Sequence, residues 1–149
     1  MAVGAVEGVW LELAGRPVVL HVVELGLACC GIEVREARRV AEATGALAGP
    51  ADPPSGSAPP EPPLHVLVVA GTVTARLAPV VQAAHAALPE PRAVLAFGAC
   101  AATGGPYWDS YSVLPGTHQL VPVDVWVPGC PPRPGDLLAG LEAVLHARG

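Results

Sequence analysis

The sequence predicts an α/β protein, a single domain built on a mostly parallel open sheet with flanking helices. Three observations carry that expectation. Short, nearly uninterrupted apolar runs such as Leu64-His-Val-Leu-Val-Val-Ala70 and Ala93-Val-Leu-Ala-Phe97 have the composition of strands covered on both faces. Between them, Leu77, Val80, Val81, Ala84 and Leu88 recur at helical spacing. Strand and helix therefore alternate, the order that produces a parallel sheet.

The elements follow in turn. Arg16-Pro-Val-Val-Leu-His-Val-Val23 is rich in β-branched residues and reads as a first strand, running through Glu24-Leu-Gly-Leu-Ala28 into paired cysteines. Positions 31–47 set Ile32, Val34, Ala37, Val40, Ala41 and Leu47 among six charged residues, a helical pattern. Positions 48–63 hold seven prolines and are expected to form an extended surface loop. The run at 64–70 is a second strand, turned by Gly71-Thr-Val-Thr74 into a helix that stops at Pro89-Glu-Pro91. The run at 93–97 is a third strand, ending in Gly98-Ala-Cys100. Val123-Asp-Val-Trp-Val127 is a fourth, leaving through Pro128-Gly-Cys130-Pro-Pro-Arg-Pro134 into a last helix with Leu137, Leu138, Leu141, Val144 and Leu145 on one face. Pro134 suits that helix's first turn.

Composition narrows the function. The formal charge is −5, with only 8 Lys and Arg and no basic run, so the electrostatic footprint of a nucleic-acid binder is missing. Glu, His, Arg or Pro interrupts every apolar run before the roughly 18 residues a membrane-spanning helix needs. The start, Met1-Ala-Val-Gly-Ala-Val-Glu7, has no positively charged leader, which points to a cytoplasmic location. Hydrophobic residues make up 52% and charged ones 14%, a balance suited to a well-filled core or to faces covered by partners.

The chemistry lies in the four cysteines, Cys29, Cys30, Cys100 and Cys130. Each falls just past an apolar run, and in open parallel sheets ligands bind beyond the carboxyl ends of the strands. Adjacent cysteines such as Cys29 and Cys30 hold their Cα atoms about 3.8 Å apart, too close for an ordinary disulfide. Four thiolates are the ligand set of one [4Fe–4S] cluster. Free cysteines also serve as small buried hydrophobes, but four of four at strand exits beside glycines favours ligation. Zinc is the alternative metal, although its knuckles typically use Cys-x-x-Cys spacing, which this chain lacks. Gly31, Gly98, Gly104, Gly105 and Gly129 are candidates for bringing backbone N–H groups to the sulfurs, and Arg35 and Arg133 for adding positive charge.

Other features have simpler roles. His21, His65, His85, His118 and His146 show no ligand spacing and read as surface or satisfied core residues. Gly71-Thr-Val-Thr74 lacks the Lys of a phosphate-binding loop. For Tyr107, Trp108 and Tyr111 loop packing is the simpler role, and a wall for a flat redox partner the other.

Gly26-Leu-Ala-Cys-Cys-Gly-Ile-Glu33, Val69-Ala-Gly-Thr-Val-Thr74, Leu88-Pro-Glu-Pro91, Gly98-Ala-Cys-Ala101 with Gly104-Gly105, and Pro122-Val-Asp-Val-Trp-Val-Pro-Gly-Cys-Pro-Pro-Arg-Pro134 resemble, in order, the blocks of the B subunit of NADH:quinone oxidoreductase, respiratory complex I. The resemblance covers most of positions 16–146 and implies a flavodoxin-like sheet. It implies that Cys29, Cys30, Cys100 and Cys130 bind the terminal [4Fe–4S] cluster. It implies electron transfer from an upstream iron–sulfur subunit to quinone, at an interface with the large D subunit. The chain would then be peripheral, on the cytoplasmic side of the membrane, and inactive alone.

The related small subunits of nickel–iron hydrogenases carry Cys-x-x-Cys before the Ile-Glu dipeptide. Here Leu27 holds the first of those positions, which favours the quinone-reducing branch. The complex I family usually carries Arg, Asp and Phe after the first helix and a Ser-Pro-Arg-Gln-like segment before the second strand. Here the proline-rich stretch and Pro62-Pro-Leu-His65 stand instead. Two alternatives follow: a diverged structural paralogue with zinc or no metal, or the cluster subunit of a hydrogenase-like membrane-associated oxidoreductase.

Overall fold

A computed structural model describes residues 8–25, 29–43, 47–50 and 61–148. In chain order the elements are β1 (Gly8–Leu13), β2 (Arg16–Leu25), α1 (Cys29–Ala43), β3 (Leu47–Pro50), β4 (Leu64–Gly71), α2 (Ala78–Ala87), β5 (Arg92–Phe97), α3 (Ala99–Thr103), β6 (Val125–Val127) and α4 (Pro134–Arg148). They form one six-stranded sheet in the order β3-β1-β2-β4-β5-β6. β2, β4, β5 and β6 run parallel, with registers such as Val22↔Val68, Val69↔Ala96 and Phe97↔Val127. The expected α/β architecture is the one observed.

Two strands were not expected. β1 pairs antiparallel with β2 from Gly8↔His21 to Leu13↔Arg16, and β3 pairs antiparallel with β1 through Leu11↔Leu47 and Val9↔Pro50. The expected loop at 48–63 is therefore corrected at its start, where positions 48–50 belong to an edge strand. Pro50 is tolerated there because an edge strand has one side without a ladder. Positions 51–60 lie outside the described residues, as do 26–28 of the expected strand exit. The first helix begins earlier than its charge pattern suggested, with the cysteine pair itself, and stops at Ala43 rather than reaching position 47.

Alternation along the central strands sends side chains to two apolar layers. Val18, Leu20, Val66, Val68, Leu95 and Phe97 pack with Val34 of α1 and Leu141 and Val144 of α4. Val23, Leu67, Val69, Val94 and Ala96 pack on the other face with Val81 and Ala84 of α2. Leu67, Leu95 and Phe97 are completely buried, which is worth roughly 1.5–3 kcal/mol for each side chain. Gly71 closes β4 at a point where any Cβ would strike the carbonyl oxygen of Leu25, so only glycine lets the ends of β2 and β4 approach. Thr74 then caps the turn that leads into α2, accepting at Oγ1 from Leu77 N–H at 3.2 Å, and pairs with Val113 in an isolated bridge. The Gly71–Thr74 segment is thus used in turning and capping.

Candidate metal centre

β2, β5 and β6 are parallel, so their carboxyl ends lie on one edge of the sheet, and each leads to a cysteine. α1 opens with Cys29 and Cys30, α3 holds Cys100 as its second residue, and Cys130 lies in the bend between β6 and α4. The last two segments are tied together by the backbone. Gly98 N–H donates to the Val127 carbonyl and Ala99 N–H to that of Gly129, both at 2.8 Å. These bonds satisfy donors at the start of α3, which would otherwise be orphaned, and seat the Cys130 bend against the Cys100 turn.

Gly98 is the meeting point. A Cβ there would collide with the Sγ of Cys30 and come within 3.3 Å of Pro132 Cδ. The Cys30 side chain therefore reaches across from α1 into the space that glycine leaves. Gly105 does the same for Cys100, whose Sγ would lie 3.0 Å from an added Cβ. Cys30 and Cys100 are buried at the floor of this edge, while Cys29 and Cys130 are exposed.

Burial pushes the Cys30 thiol up to about 12, and the charges of Cys29, Cys100 and Cys130 push the same way. Cys30 thus feels the charge of each of the other three cysteines. A cation beside Cys30 would offset that effect and favour its thiolate. Among the described residues, no three His, Cys, Asp or Glu side chains converge as they would around a single ion. One zinc ion holds its thiolates about 3.8 Å apart, given its bond length.

Some neighbours do other work than expected. Gly98 N–H is taken by Val127, and Gly104 N–H by the Cys100 carbonyl at 3.1 Å, so neither donates to sulfur. The Arg35 charge is met by Glu24 of β2: Nε donates to Oε1 and Oε2 at 3.1 and 2.8 Å, and Nη2 also donates to Oε2. At Arg133 it is the backbone that is engaged, its carbonyl accepting from Asp136 N–H and its own N–H donating to Asp136 Oδ2, which caps α4 and leaves the side-chain charge out of the bond. Tyr107, Trp108 and Tyr111 do not pack into the loop; they stand 56%, 73% and 103% exposed.

Two acidic residues escaped the sequence reading. Glu24 is the last β2 residue on the face that Val18, Leu20 and Val22 share. Asp124, just before β6, accepts from Val94 N–H at 2.8 Å and from Arg148 Nη2 at 2.7 Å. The signal for each was a carboxylate inside an apolar strand pattern.

The family model for "NADH ubiquinone oxidoreductase, 20 Kd subunit" matches residues 28–144, the span that contains all four cysteines. The chain belongs to this family. It is 46% identical to the B-2 subunit of NADH-quinone oxidoreductase in Streptomyces griseus, over 85% of this chain and 52% of that one. It is 46% identical to the corresponding B-1 subunit of Salinispora tropica, over 85% of this chain and 65% of the other. The NADH-quinone oxidoreductase B subunit of Clostridium beijerinckii is 42% identical, over 83% of this chain and 72% of its own length. The chain thus spans between about half and two thirds of the first two relatives. Among solved structures it matches the membrane-bound sulfane sulfur reductase, an archaeal respiratory membrane complex, with TM-score 0.61 and 27% identity over 84% of this chain and 68% of that one.

Proposed function

We propose that this member of the 20 Kd subunit family is the electron-transfer subunit of an NADH:quinone oxidoreductase, with Cys29, Cys30, Cys100 and Cys130 holding one [4Fe–4S] cluster. The placement of four free cysteines beyond three parallel-strand ends along one edge of the sheet, with the Cys30 sulfur in the space that Gly98 leaves, supports this reading. When bound, a [4Fe–4S] cluster supplies one-electron transfer at a potential set by its surroundings.

The chain's own part is to hold and shield. Cys30 and Cys100 anchor from the buried side, where Phe97 and Ala101 keep water out. Cys29 and Cys130 lie on the open side, the side a partner covers. The partners are the large D subunit, with quinone at the shared interface, and an upstream iron–sulfur subunit that donates electrons. No described helix is long and apolar enough to cross a membrane. In this reading the chain attaches peripherally, on the cytoplasmic side. No side chain is asked to move a proton.

The native assembly, purified anaerobically, is expected to contain about four irons and matching sulfide per copy of this chain and to show a cluster EPR signal on reduction. Cys30→Ser and Cys100→Ser should each abolish the signal. A well-folded product that stays iron-free after reconstitution would overturn the reading. The likeness to the sulfane sulfur reductase supports a second one, in which the same cluster serves a sulfur acceptor. Quinone-dependent and sulfane-sulfur-dependent turnover of the assembly separates the two.

A further inference from the structure

We propose that Glu24 and Arg35 form a clasp that fixes how α1 presents Cys29 and Cys30, making both of them positioning residues. The inference rests on the ligand role proposed for the two cysteines. β2 ends at Leu25 and α1 starts at Cys29, so the clasp closes across the connection between them. A carboxylate on the helix-covered face of a parallel strand is an unusual choice, since that face is otherwise built from Val18, Leu20 and Val22.

Glu24 touches α1 at two heights. Its Cγ, Cδ and Oε2 lie 3.8 Å from the place a Gly31 Cβ would occupy, so the side chain rests along the first turn. One turn further on, Arg35 grips the carboxylate with Nε and Nη2. Contacts a turn apart on the same helix fix its rotation and its height above the sheet. Each residue of slip would rotate the helix by about 100°. Cys30 would then leave the space beside Gly98, and Cys29 the rim.

Stability is an inadequate explanation for the pair. The Arg35 side chain is 70% exposed, and ion pairs so open to water contribute little to folding. Two-nitrogen recognition of a carboxylate instead gives geometric definition, which ligands of a rigid core require.

The test uses the full chain in its native assembly, with Glu24→Ala, Arg35→Met and the swap Glu24→Arg with Arg35→Glu. Each single change is expected to shorten iron retention under a chelator by about tenfold, the scale seen when partners of metal ligands are removed, and to broaden the EPR signal. Thermal midpoints should stay near that of the unmodified protein, and the swap should restore retention. Amide exchange of positions 29–34 in metal-free protein should rise in the single variants and recover in the swap. Unchanged retention and exchange in both single variants would overturn the clasp. So would singles that lose iron only in proportion to a fallen thermal midpoint. If the unmodified protein takes up no iron, the cluster reading fails on its own, and the exchange measurement still decides whether the pair fixes the helix.

Discussion

A methyl group added at Gly98 would collide with Cys30 Sγ and crowd Pro132, and the backbone there, at φ 91° and ψ 167°, belongs to a region open essentially to glycine alone. Gly98→Ala is therefore expected to cost about 1–3 kcal/mol in backbone strain, before any clash, and to abolish metal uptake. Gly135 is the control: a Cβ there meets nothing within 4 Å. Gly135→Ala should leave iron content unchanged and stability equal or higher by up to about 1 kcal/mol, read from urea unfolding. The ligand role proposed for the four cysteines comes from the sequence, because ligand chemistry restricts residue type. The role of Gly98 was only half legible, since the sulfur filling its space comes from a residue 68 positions earlier.

His65 carries a different prediction at the same scale. Its ring stacks on His21 with centroids 5.3 Å apart, and His21 Nε2 lies 3.0 Å from His65 Nδ1. Burial, then the charge of His21, lowers the His65 pKa below its usual 6.5. Burial and Arg92 lower that of His85 as well, against the weaker pull of Glu90 and Asp124. The unfolded chain thus takes up protons that the folded one resists, so these groups favour folding fully above about 6.5 and lose that contribution as pH falls. Thermal midpoints should drop between pH 7.5 and 5.5, and His65→Phe should flatten the slope. An identical slope in the variant would contradict this assignment. A histidine in an apolar run reads as a surface or satisfied core residue, and the half-buried His65 finds its ring partner only once β2 and β4 pair.

At the scale of elements, β6 is three residues long and shares its ladder with β5 alone, so its hold on the sheet is slight. Asp124 supplements it by accepting from Val94 N–H and from Arg148 at the far end of α4, while its own N–H donates to the Val94 carbonyl. Asp124→Ala leaves the buried Val94 N–H without its acceptor. It should destabilise the chain by about 1–3 kcal/mol and loosen the bend that carries Cys130. Arg148→Ala should cost less, about 1 kcal/mol or below, because that side chain is 45% exposed. Equal losses in urea unfolding would mean that the ion pair, and not the backbone bond, holds β6. The parallel strands were legible because burial on both faces forces continuous apolar runs. β1 and β3 were not: Glu12 interrupts the first, and Gly49 and Pro50 belong to a stretch whose prolines argue for loop. What makes them strands is pairing, which local composition does not encode.

Across the whole molecule, the core and the thiol edge are separable in energy. Val68, Val69, Leu95, Ala96 and Phe97 are fully buried between helices on both faces, and none of that packing passes through a sulfur except at Cys30, which joins the layer beside α1. A core bound to the folded chain alone adds stability by mass action, and its removal withdraws only that increment. Anaerobic chelation is accordingly expected to lower the thermal midpoint by roughly 2–4 °C for each kcal/mol of lost binding, as for a domain of this size. Amide exchange should rise at positions 98–105 and 128–133, where the segments meet through a few backbone bonds. Positions 66–69 and 94–97 should keep their protection, because their hydrogen bonds belong to the ladder between β4 and β5. Global loss of protection on chelation would mean instead that the sheet depends on the metal, with the four cysteines acting as the staple of the fold rather than a site mounted on it.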